Sequence, residues 1–286
     1  DPAVRDDPAA RGLLALMTTT MHNADSLSWR SAVRGGQSKD DLAHICSYAL
    51  WMKKPSFVRM EAYRNVTTGI MVGNADTVSV YWPSGRDRQE DEKTGPAAEE
   101  YEKTRFTSYI RYNTPASVLG LQGFARDLQS GVGKFPIEPA VFFGNPDTLE
   151  EYVDCVQTTG VESVLDQACD VIRISYMRGL RERFIWIAKS DHLPRRVRFV
   201  HHGTTVFMNE EFLTRVTLNK RMSEDLFAWS PPGDYTTFRP RFAKDEDLIK
   251  AGEVAPDFEL ASIEGGRIRL SNYKGNVVWL YFWAAG

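Results

Sequence analysis

After residue 23 the apolar residues of this chain stop recurring every third or fourth position and begin to alternate. That change of period constrains the fold more than any other feature. Before it, Leu13, Met17 and Met21 recur at i, i+4 and i+8, with Leu14 and Leu16 beside them. Asp7-Pro8 supplies an N-cap followed by proline at the first helical position. The pattern predicts an amphipathic helix over 7–23. Alternation then predicts strands near 26–34, 43–52, 56–63, 68–72 and 77–82, separated by Gly35-Gly36, Lys54-Pro55, Gly73-Asn74 and Pro83-Ser84-Gly85. After Thr114-Pro115, helical spacing of Val118, Leu121, Ala125 and Leu128 predicts a second helix over 114–130. Alternation returns between about 151 and 218, most clearly at 170–176, 183–188, 195–200 and 204–208. The charged stretch 86–104 reads as a solvated loop, with a docking tail as the other reading.

Successive strands joined by short turns pair antiparallel, so this order predicts an α+β fold built on one curved antiparallel sheet with helices over its concave face. Phe184-Ile185-Trp186-Ile187 is apolar on both faces and needs cover on both sides. The remainder of the concave surface is then either core or a pocket for something apolar.

At 286 residues the chain has room for one large domain or two ordinary ones, and 42% hydrophobic content is enough for a sizeable core. A net charge of −3 carries no basic excess, so no nucleic-acid partner is expected. No apolar run reaches the ~18 residues of a membrane-spanning helix, so the chain is read as not membrane-spanning. The N-terminus lacks the apolar segment of a signal peptide, as expected of a chain that never had one or of a mature or trimmed form.

Catalytic and metal signatures are missing. Gly131-Val132-Gly133-Lys134 lacks the spacing and the Ser/Thr of a phosphate loop. His201 and His202 are adjacent and on a strand point to opposite faces. His44 and Cys46 share a strand face but have no visible third group to orient them. Asn65-Val66-Thr67 is a formal glycosylation sequon. No metal site, cofactor or catalytic residue is expected. Of three cysteines, Cys46 reads as a buried, inert thiol. Cys155 and Cys169 flank Thr158-Thr159-Gly160; a turn centred near residue 162 would set them opposite each other on a hairpin. A disulfide there would contribute roughly 3 kcal/mol, and the other reading is two unpaired thiols.

The C-terminal piece contains Gly252-Glu253-Val254-Ala255-Pro256-Asp257-Phe258-Glu259-Leu260, then Leu270-Ser271-Asn272-Tyr273-Lys274-Gly275, then Val277-Val278-Trp279-Leu280-Tyr281-Phe282-Trp283-Ala284. It resembles the opening of the TlpA and peroxiredoxin-like (AhpC/TSA) branch of the thioredoxin superfamily. The resemblance implies a short hairpin, then a central parallel strand at 277–283, then a W-C-x-x-C motif. The sequence stops at Gly286 before any such motif, so no catalytic cysteine carries over, and the chain is expected to be part of a longer one.

The larger part resembles the lipoprotein-carrier (LolA/LolB-like) superfamily more diffusely. The matching residues are the leading helix, Lys54-Pro55-Ser56-Phe57-Val58-Arg59-Met60-Glu61, Val80-Tyr81-Trp82-Pro83, and Trp186-Ile187 followed by His192-Leu193-Pro194-Arg195-Arg196. This implies an open half-barrel with plugging helices, in the periplasm or another extracytoplasmic space, with a hydrophobic cavity or a surface for envelope partners. The expected division is a half-barrel over 1–240, a charged linker over 241–251 and an incomplete thioredoxin-like domain over 252–286. The expected function is binding of a lipid or lipoprotein-like ligand, or of an envelope protein, by a module fused to a redox domain. The alternatives are a full-length thiol-disulfide oxidoreductase or peroxidase whose N-terminal part docks substrate, and an envelope sensor. Trp29, Tyr48, Phe57, Trp82, Phe142, Phe143 and Trp186 are the candidate ligand-lining residues, with plain core as the other reading.

Overall fold

The structure is a computed structural model that describes residues 6–63, 67–81, 108–113, 115, 140–144, 149, 152–231, 233, 236–237, 252–262 and 265–280. The expected helix 114–130, the loop 86–104 and Trp82 lie outside the described residues, apart from Pro115, which is in no helix. The chain divides into two compact units, residues 1–238 and 239–286.

In the first unit α1 (Pro8–Asn23) begins where the sequence places it. Asp7 is its N-cap and accepts from the Ala9 N–H at 2.9 Å. Its buried stripe is Ala10, Leu14, Met17, Thr18 and Met21. Five antiparallel strands follow: β1 (Ser26–Gly36), β2 (Ala43–Lys53), β3 (Phe57–Tyr63), β4 (Thr67–Gly73) and β5 (Val78–Tyr81). Then come β6 (Ser108–Tyr112), the single turn α2 (Ala140–Phe143), β7 (Val153–Val164), β8 (Gln167–Tyr176), β9 (Arg181–Ala188), β10 (Pro194–His202), β11 (Val206–Leu218) and β12 (Thr236–Thr237). Among the described residues these strands form one sheet in the order β12-β6-β5-β4-β3-β2-β1-β11-β10-β9-β8-β7. The joining of β1 to β11 brings the two halves of the chain together. The end strands of that order do not pair with each other, so the sheet is open. Its inner face folds about α1: one apolar cluster holds Leu14 and Met21 of the helix with Met60 and Val80 from one half and Ile172 and Ile185 from the other.

The hairpin β7–β8 corrects one expectation. Its two-residue turn is Leu165-Asp166, with φ of 51° and 62° at the central positions, the conformation that matches the twist of paired strands. Thr158-Thr159-Gly160 is not the turn but a bulge in β7, where the register shifts between Thr158 and Gly160 and Gly160 takes φ 138°. Cys169 therefore faces Glu162, and Cys155 faces Ser175. Along β8 the positions 169 and 175 lie roughly 20 Å apart, far beyond the ~7 Å a disulfide tolerates. Both cysteines are free, buried thiols.

In the second unit β13 (Glu259–Ala261) and β14 (Arg267–Arg269) make a short antiparallel hairpin, followed by a 3-10 turn at Leu270–Tyr273. Asp257 accepts from the Ser271 N–H at 2.8 Å and ties the two together. The expected parallel strand from 277 is not formed over 277–280. A strand exists only through its neighbours' hydrogen bonds, and among the described residues none pairs with this segment. Val277 and Trp279 are 101% and 88% exposed; residues 281–283 lie outside the described residues.

Candidate functional site

The strand register sorts the side chains of the first unit into two faces. On the inner face one row runs Trp29, Leu50, Met60, Met71, Val80 across β1 to β5. Another runs Ile172, Ile185, Val197, Glu211, Val33, Cys46 across β8 to β11 and on to β2. Every member of both rows is apolar except Glu211, and every apolar member belongs to the cluster around α1.

Glu211 is 2% exposed. Tyr48 and Ser31 both donate to its Oε1, and the Trp29 indole N–H donates to the Tyr48 hydroxyl oxygen at 3.2 Å. Burial pushes the Glu211 carboxyl up to about 7, although the hydrogen bonds from Ser31 and Tyr48 pull the other way. Burial and the neighbouring carboxylate raise the Tyr48 phenol well above its usual range, so this hydroxyl remains a donor.

One step further along β11, Asn209 lies between Phe199 of β10 and Gly35 of β1. It is 6% exposed, and its Oδ1 is buried with no hydrogen-bond partner among the described residues. A Cβ at position 35 would lie 2.5 Å from the Ile45 Cδ1 and 2.7 Å from that oxygen, so a larger residue there would push both side-chain ends aside. Arg183 of β9 faces Phe199 from the other side. Its Nε is likewise buried and without a hydrogen-bond partner among the described residues, while its guanidinium carbon sits 5.8 Å from the centre of the Tyr176 ring.

Of the candidate lining residues, Trp29, Tyr48 and Phe142 are buried in the inner cluster, and Phe143 is partly buried against it. Phe57 and Trp186 are corrections, because they lie on the outer face. Phe57 alternates with the inner Val58 and Met60, and its ring packs on Phe227 at 5.5 Å. Trp186 alternates with the inner Ile185 and Ile187. It joins a second cluster with Val164, Cys169, Val171 and Ala188. Arg196 and Arg198 cover its ring at 4.4 and 5.3 Å, and both guanidinium groups are held by Glu210. The residues that sequence reasoning missed are Arg183, Asn209 and Glu211. The signal for the last two was there: Asn209, Glu211 and Leu213 alternate within one long strand run, which is an uncommon place for two polar side chains to share a face with leucine. Among the described residues no group of three His, Cys, Asp or Glu side chains is arranged to hold a metal, and no helix is long and apolar enough to cross a membrane.

No known protein family matches the chain in sequence, and no curated protein does. Solved structures with similar strand arrangements include the Mycobacterium tuberculosis lipoprotein LppX, at 14% identity and TM-score 0.42, covering 76% of this chain and 99% of that one. A LolA-superfamily protein from Nitrosomonas europaea matches at 10% and 0.35, covering 77% and 97%. The Pseudomonas aeruginosa MucA/MucB complex matches at 11% and 0.37, covering 91% of this chain and 74% of that one. With TM-scores below 0.5, the fold of this chain rests on its own strand order and register.

Proposed function

We propose that the first unit is a binding module of the bacterial cell envelope whose inner face takes a hydrophobic ligand, a lipid or a lipoprotein-like chain. The single observation that carries this reading is the make-up of the contact between helix and sheet. Met17 and Met21 of α1 meet an inner face that includes Met52, Met60 and Met71, so five of the chain's eight methionines are in one cluster. Methionine is unbranched and polarizable, and surfaces rich in it repack around different partners at little cost. The helix they belong to is fastened by polar contacts at its ends. At one end the Val156 N–H donates to Asp6 at 2.8 Å and the Thr158 hydroxyl to Asp7 at 2.7 Å. At the other, Lys54 donates to the His22 carbonyl. Between these ends its buried stripe is largely apolar, with Thr18 bonded to its own helix at the Ala15 carbonyl.

A second reading, docking of an envelope protein partner or a sensor role, is favoured by the dense packing of Trp29, Tyr48 and Phe142, which behave as core. Titration with the fluorescent probe N-phenyl-1-naphthylamine, followed by displacement with a lipid, separates the two. Saturable binding in about the micromolar range supports the carrier; no saturation up to about millimolar overturns it and leaves the docking reading.

The division into a half-barrel over 1–240, a linker over 241–251 and a thioredoxin-like opening over 252–286 belongs to the same proposal. The Ala255-Pro256-Asp257-Phe258 motif leading into the β13–β14 hairpin supports it. A thiol-disulfide function would reside in a cysteine pair that this sequence does not contain after Cys169. Insulin reduction by the full natural protein tests that function, and absence of the activity overturns it. The expected compartment is the periplasm or another extracytoplasmic space.

A further inference from the structure

The inner face carries two buried polar atoms that no described residue pairs, and beside them a carboxyl held by hydroxyl groups. Among the described residues, the Asn209 Oδ1 acceptor and the Arg183 Nε donor are buried and unpaired. Unpaired buried polar atoms are uncommon in native folds because each costs the desolvation of the group with nothing in return. Glu211 accepts hydrogen bonds from the Ser31 and Tyr48 hydroxyl groups and, among the described residues, forms no ion pair. The three are neighbours. Asn209 and Glu211 are alternate residues of β11 on the same face, about 7 Å apart, and Arg183 faces Asn209 from two strands away, about 10 Å across the sheet. A concave sheet brings such side chains closer than their backbones. The ends of the Asn209 and Ile45 side chains both lie over Gly35 of β1.

We propose that Arg183, Asn209 and Glu211 form a subsite for the hydroxylated head of an apolar ligand, of which a monoacylglycerol is the simplest example. The inference rests on the carrier reading above and names the ligand's head group. The chemistry selects among heads. A hydroxyl both donates and accepts, so hydroxyls can satisfy the Asn209 acceptor and the Arg183 donor. A fatty carboxylate only accepts, so it can take the Arg183 donor but leaves the Asn209 acceptor unpaired. An alkylammonium only donates and is repelled by Arg183. A simple ester only accepts and leaves Asn209 unpaired.

The test is displacement of N-phenyl-1-naphthylamine from the full chain by 1-monooleoylglycerol, methyl oleate and oleate, in the wild type and in the Asn209→Leu and Arg183→Met variants. The expected result is that the monoacylglycerol binds about tenfold or more tightly than methyl oleate, the scale of one or two hydrogen bonds to buried polar groups. In each variant that folds, judged by circular dichroism, the ratio of the two affinities falls to about one. Equal affinities in the wild type, a ratio preserved in both variants, or oleate binding more tightly than the monoacylglycerol overturns the subsite while the carrier reading stands. Failure of the probe itself to bind overturns the carrier reading and the subsite together. The wild-type comparison decides alone should neither variant fold.

Discussion

Tyr48 donates its hydroxyl hydrogen to the Glu211 carboxyl, joining β2 to β11 across the intervening β1 at a sequence separation of 163 residues. The bond lies where the two halves of the sheet meet, and Ser31 of β1 donates to the same oxygen. The inner face is therefore tied at its centre by a buried carboxyl whose ionisation is opposed by its surroundings.

Stability should fall with rising pH through this group. The Glu211 carboxyl moves from its usual 4.5 up to about 7 on folding. Below 4.5 both folded and unfolded chains hold the proton and the contribution is fully present. Between 4.5 and about 7 the unfolded chain has released it while the folded chain keeps it, so stability drops, and above about 7 the loss is complete. The loss amounts to about 3 kcal/mol. Urea unfolding of wild type and Glu211→Gln at pH 5 and pH 8 measures it. The variant should gain on the wild type by about that amount between the two pH values, and a constant difference would refute the assignment.

Tyr48→Phe removes one of the two donors to Glu211 and the acceptor of the Trp29 N–H. The loss should cost about 1–3 kcal/mol at pH 8. Because the Tyr48 hydrogen bond lowers the Glu211 carboxyl, its midpoint should move further up, above about 7. The same urea series, extended in pH, reads both effects, and an unmoved midpoint would mean that the bond does not act on the carboxyl.

On the outer face Glu210 should matter far more than an exposed acid. It is 4% exposed and receives the Nε of both Arg196 and Arg198 at 2.9 Å. Glu210→Ala leaves the shielded Arg198 without its carboxylate and Arg196 with only Glu162 at 3.9 Å, and should cost about 3 kcal/mol. Glu224→Ala, which breaks the 3.4 Å surface pair with Lys53, should cost under about 1 kcal/mol. Midpoints of urea unfolding compare them directly.

The cysteines should behave as thiols in an oxidising buffer. Burial pushes Cys155 and Cys169 above their usual range, so both should label slowly in the native state and completely once unfolded. Peptide mapping without reductant should recover both alkylated. A bridged Cys155–Cys169 peptide would contradict the β7–β8 register.

The sequence by itself determined what local interactions determine. The helix at Pro8–Asn23 follows from a proline, an aspartate cap and a four-residue spacing, all within one segment. The strands from Ser26 to Tyr81 follow from a two-residue period broken by turn residues. The outer position of Phe57 was legible too, since it alternates in step with Arg59 and Glu61. Trp186 was not, because Phe184-Ile185-Trp186-Ile187 is apolar at every position and a period of two says nothing about which set faces inward. Only the tertiary structure decided that the β7–β8 turn falls at Leu165-Asp166, a pair without glycine, and with it the separation of the two cysteines. It also decided that Ser31, Tyr48 and Glu211 meet, because β1 pairs with β11 and that contact has no trace in the local pattern of either strand. A local period specifies an element and its two faces; the partner strand, and so the polar group that an apolar face acquires, is set by packing between segments far apart in the chain.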